Sequence, residues 1–191
     1  MGVGETILYG AVASLVASGT FFAILLGLRP RFSIAPSISV VTTSTGRLVY
    51  RFKVVNRTRR PLVDVKLQLF RDTPTKVPGG HRPLHTLRRI NLAYSEPLVI
   101  VGRKRGDPEA RHARRFVAED DLLAHWPDDQ RASLLLRITC RDGITGTFRQ
   151  KEQEFRLHDT LQHGVFAFGD SLSVVEAPHR GNPPFSARIE V

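Results

Sequence analysis

The chain has 191 residues, with 28 Lys or Arg against 18 Asp or Glu, so its formal net charge is +10. The single cysteine, Cys140, excludes an internal disulfide, which fits a reducing compartment. There is no long low-complexity tract and no internal repeat, so we expect one folded domain of about 160 residues after an apolar N-terminal segment.

The first predicted element is a membrane-spanning helix over Ile7–Leu28. This run contains no charged residue and ends at Arg29-Pro30-Arg31. As a helix it would extend about 33 Å, enough to cross a hydrocarbon core of about 30 Å. The segment before it contains Glu5 but no Lys or Arg, and no Ala-x-Ala cleavage site follows the run. A retained anchor is therefore favoured over a cleaved signal peptide.

The distribution of basic residues predicts the orientation of this helix. Residues 1–6 carry no basic side chain, whereas Arg29 and Arg31 follow the helix directly. The positive-inside rule then places residues 1–6 outside the cytoplasm and the rest of the chain inside. We therefore predict a single-pass protein of the cell membrane, with residues 29–35 as a membrane-proximal linker and residues 36–191 as a cytoplasmic domain.

One stripe of the predicted helix consists of small residues at spacings of three and four. Small side chains let membrane helices approach closely, so the stripe predicts self-association into a homo-oligomer. Such residues are also common in membrane helices in general, and this alternative stays open. The predicted oligomerisation residues are Gly10, Ala13, Ser14, Ala17 and Ser18.

The remainder of the chain is dominated by short segments that alternate between apolar and polar residues. The clearest is Leu62–Phe70, where Val63, Val65, Leu67 and Leu69 are expected on one buried face. We expect loops or exposed charged segments at Arg71–Thr86 and Arg103–Arg115, a short helix at Ala118–Trp126, and a hairpin turn at Asp142–Gly146. The predicted strands are Ile38–Val41, Leu48–Val55, Leu62–Phe70, Leu98–Val101, Leu134–Cys140, Thr147–Phe155, Val165–Phe168, Leu172–Val175 and Ala187–Val191. This pattern predicts an all-β sandwich.

The sequence contains no motif that indicates catalysis or cofactor binding. There is no nucleophile elbow, phosphate-cradling loop or dinucleotide fingerprint, and the seven histidines lack the spacing of zinc ligands. Cys140 lies within a predicted apolar strand and is interpreted as a core residue. We therefore expect no enzymatic activity, no metal and no cofactor. Basic residues without interleaved aromatics also argue against a nucleic-acid partner.

Several short segments resemble the inward-rectifier potassium channel family. Leu28–Ser33, directly after the predicted helix, is similar to the junction that follows the family's inner helix. The other matching segments, in the family's order, are Gly46–Leu48, Phe52–Val54, Asn56-Arg57, Leu62–Asp64, Arg89–Leu92, Pro97–Ile100 and Asp142–Gly146. The resemblance implies that Ile7–Leu28 corresponds to the inner helix and residues 36–191 to an immunoglobulin-like β-sandwich. It also implies a tetramer, and binding of anionic lipid, including phosphoinositides, by Arg29 and Arg31.

Two departures from the family limit what the resemblance implies. No sequence like the Thr-Val-Gly-Tyr-Gly filter occurs, so this chain alone would not form a potassium-selective pore. The acidic segment that the family carries after its Pro-Leu-Thr strand is replaced here by Gly102-Arg103-Lys104-Arg105, which is opposite in charge.

We therefore predict an oligomerising, lipid-responsive regulatory or scaffolding subunit. Its partners would be phospholipid headgroups, bound by Arg29 and Arg31 with help from the turn that contains Arg57, Arg59 and Arg60. Guanidinium groups beside a membrane helix could instead only anchor and orient it. A nonselective pore and an exported, membrane-anchored binding module are the alternative functions.

Overall fold

The computed structural model describes residues 2–75, 84–93, 95, 98–125, 132–156 and 160–176. Within these residues the chain is mostly β-strand, with one long apolar helix at the N-terminus. Trp126, the middle of the predicted 71–86 loop and the predicted strand Ala187–Val191 lie outside the described residues.

The helix, α1, spans Val3–Gly27. Among the described residues, its Ile7–Gly27 portion is the one helical segment long and apolar enough to cross a membrane. The Leu28 N–H still donates to the Ile24 carbonyl at 3.0 Å. Pro30 has no N–H to donate and cannot continue the helix. The helix therefore ends with four residues, 28–31, between it and the first strand.

The first sheet is built around one central strand. Its members are β1 (Phe32–Ile34), β2 (Ile38–Thr42), β3 (Leu48–Asn56), β7 (Ala113–Val117) and β10 (Leu161–His163). β1 and β2 pair with successive parts of β3, and β7 pairs with β3 as well, all antiparallel. β10 adds to β2 in parallel. Since Val54 and Val55 pair with both β1 and β7, those two strands flank β3 on opposite sides.

The second sheet is built around the longest strand. Its members are β4 (Leu62–Thr75), β5 (Leu84–Ile90), β6 (Leu98–Ile100), β8 (Ser133–Asp142) and β9 (Phe148–Arg156). All neighbours pair antiparallel, in the order β5-β4-β8-β9, with β6 also on β4. A short helix α2 (Leu122–His125) and a small pair, β11 (Val165–Phe166) with β12 (Val174–Val175), complete the described elements.

The two larger sheets share one hydrophobic core. Alternating apolar positions of β3 and β8 are buried, and residues of both sheets belong to the same buried cluster. Phe52 of the first sheet meets Phe155 of the second with ring centroids 5.6 Å apart in an edge-to-face arrangement. Cys140 is buried in this core, and burial raises the pKa of its thiol to about 12. The interpretation of Cys140 as a core residue is thus confirmed.

The prediction of a loop over Arg71–Thr86 is wrong at both ends. β4 continues to Thr75 and pairs with β5, which begins at Leu84. The turn-forming Pro74 is tolerated because the pairing of β4 with β8 ends at Asp72. Proline fits where a strand has a neighbour on one side only, since the position that lacks an N–H can face the open side.

Four further predictions are corrected by the structure. A β-bulge at Asp64, whose φ is 51°, shifts the register, so Leu62 and Val65 are buried while Val63 is only half-buried. The charged segment Arg103–Arg115 is not wholly exposed, because His112 is buried and β7 begins at Ala113. The helix expected from Ala118 begins only at Leu122, since Ala118 bridges to Leu92. The predicted linker 29–35 contains β1, which its pairing with β3 holds in the sheet.

The contact between the sheets can be tested by comparing a buried and an exposed apolar side chain of the second sheet. Phe155→Ala should lower the free energy of unfolding by about 3–5 kcal/mol, because it leaves a cavity in the core. The control is Leu84→Ala in β5, whose side chain is 61% exposed and whose loss should cost less than about 0.5 kcal/mol. The measurement is denaturant unfolding of the full chain in detergent micelles. Equal effects of the two changes would contradict the described core.

Candidate functional site

The end of the domain at which the helix enters contains the candidate site. Three hydrogen bonds join the chain that leaves the helix to the β domain. The Arg57 N–H donates to the Arg31 carbonyl at 2.8 Å, and Arg149 Nη1 donates to the Pro30 carbonyl at 2.8 Å. Arg60 Nη2 donates to the Leu28 carbonyl at 2.6 Å. We call residues 28–31, 57–61, 101–105 and 142–149 the helix-proximal end.

Arg60 connects the helix to the second sheet. Besides the Leu28 carbonyl, its guanidinium contacts the carboxylate of Asp142 at 2.6 Å through Nε. The last carbonyls of a helix carry partial negative charge, so a cation placed there is stabilising. The last turn of α1 has no basic residue of its own. Arg60, from a loop far along the chain, supplies that charge.

Buried Asn56 holds the loop in which Arg57, Arg59 and Arg60 lie. Its Nδ2 donates to the carbonyls of Arg60 and Val101, at 2.8 and 3.0 Å. Its Oδ1 accepts from the N–H and the hydroxyl of Thr58 at 2.9 and 2.8 Å. An asparagine that bonds the backbone two residues ahead stabilises a turn. One side chain therefore fixes the loop and also joins it to the segment after β6.

The loop and the segment after β6 approach each other closely. The Arg103 N–H donates to the Thr58 carbonyl at 2.7 Å. A Cβ at position 102 would lie 1.9 Å from the Arg59 carbonyl oxygen, so only glycine fits there. This approach brings the basic residues of the two segments to opposite walls of one cleft.

The resulting basic cleft has a volume of about 530 Å³. Five cations and two carboxylates, of Asp107 and Asp170, line it, so these seven groups carry a formal charge of +3. The cations are Arg57, Arg59, Arg103, Lys104 and Arg105. Exposed Phe168 lies at its edge. A cleft of this charge and size suits a phosphate-bearing anion.

Asp170 is the internal counter-ion of the basic cleft. Its carboxylate contacts Arg103 Nη2 at 2.5 Å and His112 Nε2 at 2.5 Å, and Arg57 Nη1 lies 3.9 Å away. Burial acts to raise the pKa of Asp170. The hydrogen bond from His112 and the charges of Arg103 and Arg57 outweigh it, so the pKa lies below its ordinary value. Asp170 is therefore a carboxylate at neutral pH, and it is the internal partner of two of the five cations, Arg103 and Arg57.

The other three cations of the basic cleft are exposed. Within the described part of the chain, no carboxylate lies within ion-pair distance of Arg59, Lys104 or Arg105. An incoming anion could contact them without displacing an internal partner. These three residues are the available part of the site.

The structure separates the five predicted lipid-binding residues into three groups. Arg57 and Arg59 line the basic cleft, whereas Arg60 is engaged by Asp142 and Leu28 and serves to position the helix. Arg29 and Arg31 are exposed at the helix exit and do not line the cleft. The predicted oligomerisation residues lie on the exposed surface of α1, remote from this site. They are Gly10, Ala13, Ser14, Ala17 and Ser18.

Sequence reasoning missed the larger part of the cleft. The sequence showed that the three consecutive cations at Arg103–Arg105 replace an acidic segment of the inward-rectifier family. It did not show that they line a cleft. Asp170 and His112 had no local signal, because their pairing joins residues that are 58 apart in sequence. A basic run directly after a predicted strand was the one signal available.

No protein-family model matches the chain, and no curated protein matches it significantly. The resemblance to inward-rectifier channels therefore stays a prediction. A functional proposal has to rest on the residues of the helix-proximal end and their geometry.

The role of Asn56 in shaping the site can be tested by truncation. Asn56→Ala should lower the free energy of unfolding by about 2–3 kcal/mol, because it leaves buried carbonyls and the Thr58 N–H without their partner. Asn91→Ala, at an exposed asparagine, is the control and should have an effect within about 0.5 kcal/mol. Thermal unfolding of the full chain in detergent micelles measures both. Equal stability of the two variants would show that Asn56 does not hold the loop.

The link between Arg60 and Asp142 predicts a dependence of stability on pH. Burial acts to raise the pKa of Asp142, but hydrogen bonds from Thr145 N–H, Arg60 and Ile144 N–H outweigh it, so the pKa lies below its ordinary value of 3.8. The stability that ionised Asp142 contributes is complete above 3.8 and is lost as the pH falls through the lower, folded-state pKa.

Asp142→Asn should therefore destabilise the chain by about 2 kcal/mol at neutral pH, and the difference from wild type should shrink as the pH falls below 3.8. Asp64→Asn removes the same charge where the side chain is 60% exposed, and should have little effect at any pH. Denaturant unfolding across pH measures both variants. A difference between Asp142→Asn and wild type that does not change with pH would contradict the assignment.

Proposed function

We propose that the chain is a single-pass membrane protein whose β domain binds anionic phospholipid headgroups through the basic cleft. It would act as a lipid-responsive regulatory or scaffolding subunit. The observation that carries the proposal is the position of five cationic side chains around one cleft at the end where a membrane-span-length helix enters.

The depth of the cleft relative to a bilayer supports a headgroup ligand. If Ile7–Gly27 crosses the hydrocarbon core, Leu28 and Pro30 lie at the headgroup level. Arg60 bonds the Leu28 carbonyl, and Arg57 and Arg59 belong to the same loop. Phosphate groups of lipids would therefore be the anions that the cleft meets at highest concentration.

The charge of the cleft supports selectivity for anionic over zwitterionic lipid. Each basic group near an anionic membrane surface contributes about 1 kcal/mol. Arg59, Lys104 and Arg105 are exposed and available for this attraction. Phosphate could also compete with Asp170 for Arg103 and Arg57, since these three side chains lie together. Lipid binding would then be coupled to the segment that carries Asp170.

We also propose that the β domain lies in the cytoplasm and that it has an immunoglobulin-like fold. Arg29 and Arg31 flank the helix on the side of the domain, which favours a cytoplasmic orientation. Two mainly antiparallel sheets around one core support a sandwich of the inward-rectifier cytoplasmic type. The small-residue stripe that includes Gly10 and Ala17 lies open along α1, which supports homo-oligomerisation, as a tetramer if the family resemblance holds.

Lipid selectivity of the cleft can be tested with charge-matched variants. Arg59→Gln/Lys104→Gln/Arg105→Gln removes the three exposed cations and should reduce the preference for anionic lipid at least about fivefold. The control, Arg88→Gln/Arg89→Gln/Lys66→Gln, removes the same residue types from exposed positions of β5 and β4 and should leave the preference unchanged.

The measurement is the relative association of spin-labelled phosphatidylglycerol and phosphatidylcholine with the full chain in proteoliposomes. Both variants retain the helix, so a difference between them in this measurement reports the removed charges and not a change in membrane insertion. The preference of wild type should fall as ionic strength rises. Identical selectivity in wild type and in the cleft variant would refute the proposal.

A further inference from the structure

Two large apolar side chains are exposed at the helix-proximal end. Ile144, in the turn between β8 and β9, is 73% exposed, and Phe148, the first residue of β9, is 57% exposed. Single exposed apolar residues are common on protein surfaces. These two differ because both lie on one hairpin at the end where the helix enters.

Hydrogen bonds hold the turn in one conformation. The Asp142 Oδ1 accepts from the N–H groups of Ile144 and Thr145, both at 3.0 Å. The Gly146 N–H donates to the Asp142 carbonyl at 2.9 Å, and the Gly143 N–H donates to the Pro61 carbonyl at 2.8 Å. The exposure of Ile144 is therefore imposed by an ordered turn.

Contacts with the helix exit fix the direction of this hairpin. Asp142, at the end of β8, is joined through Arg60 to the Leu28 carbonyl, and Arg149 of β9 bonds the Pro30 carbonyl. β8 and β9 run from this end towards Ser133 and Arg156, so the turn is the part of the hairpin nearest the helix exit. If α1 spans a bilayer, the turn faces the membrane surface.

We propose that Ile144 and Phe148 insert into the interfacial region of the bilayer and form a second membrane contact beside α1. This inference rests on the proposed single-pass membrane anchorage. Two features favour lipid as the occupant. The apolar pair is flanked by Arg141 and Arg149, which are exposed although Arg141 Nε lies 3.9 Å from the Asp64 carboxylate and Arg149 also bonds the Pro30 carbonyl. Exposed apolar side chains beside cations are typical of interfacial membrane contacts. The hairpin also contacts the chain that leaves α1, through the hydrogen bond from Arg149 to the Pro30 carbonyl.

Insertion of the hairpin would set the tilt of the β domain on the membrane. A single helix leaves the domain free to lean, whereas a second contact on another sheet restricts it. The basic cleft, which shares the loop of Arg57 and Arg59 with this end, would then face the headgroups in a fixed orientation. The hairpin would act as a positioning element for the lipid site.

The test places an environment-sensitive fluorophore at single cysteines of the full chain in nanodiscs of phosphatidylcholine with a minority of phosphatidylglycerol. Cys140→Ala removes the buried native thiol. Labels are attached through Ile144→Cys, Phe148→Cys, Leu28→Cys and Leu84→Cys. Leu84 is a matched apolar control, because it is 61% exposed and lies at the opposite end of the second sheet, across from Thr75. Lipids spin-labelled at a shallow acyl position serve as quenchers.

We expect quenching of about twofold at positions 28, 144 and 148 and none at position 84. Quenching at Leu28 without quenching at Ile144 and Phe148 would overturn the hairpin inference and leave the anchor intact. No quenching at Leu28 would overturn both the anchor and the inference. A blue-shifted label at Ile144 that is not quenched would also overturn it, since it would show that protein rather than lipid covers the turn.

Discussion

The guanidinium of Arg60 is the interaction on which the geometry of the site depends. It bonds the Leu28 carbonyl at the end of the helix and the Asp142 carboxylate at the end of β8. The helix and the second sheet are not adjacent in sequence, because β1, β2 and β3 lie between them along the chain. Arg149 of the second sheet also bonds the Pro30 carbonyl, but Arg60 makes the contact nearest the end of the helix itself.

The basic residues of the helix-proximal end divide into those that make structural contacts and those that remain available to a ligand. Arg60 and Arg149 use their charge on backbone carbonyls and, for Arg60, on buried Asp142. Arg59, Lys104 and Arg105 are exposed around the cleft. A cation that is engaged by a buried carboxylate has little attraction left for a ligand. The formal charge of +10 therefore overstates what the surface presents, and the local arrangement decides what it binds.

The parts of the structure that were predictable depend on local pattern. The apolar run gave the helix, and the alternation of Leu62–Phe70 and Leu134–Cys140 gave the centre of the second sheet, since these strands bury one face. The parts that were missed depend on pairing. β5 consists almost wholly of exposed residues, and it forms a strand because its backbone pairs with that of β4. β1 and β10 have three residues each, too few to show an alternation of apolar and polar residues.

The site was less predictable than the fold for the same reason. The basic turn after Asn56 was visible, but which of its arginines is free depends on Asp142, which is 82 residues away from Arg60. Asp170 and His112 could not be joined to the cleft from sequence, because neither lies in a periodic segment or a motif. Charge runs predict that an anion is attracted. Only the placement of the opposing carboxylates shows where it can be held.

Asp170 gives the cleft a property that a purely basic surface would lack. Its carboxylate holds Arg103 and His112 in place when no ligand is bound, so the cleft keeps its shape without an anion. Buried Lys53 donates to the carbonyls of Ala167 and Ser171, at 2.6 and 2.7 Å, and so fixes the segment that carries Asp170 to β3. A phosphate that took Arg103 from Asp170 would leave that carboxylate paired with His112, with Arg57 Nη1 3.9 Å away. If the cleft binds a headgroup as proposed, these contacts connect the ligand to β3, the central strand of the first sheet.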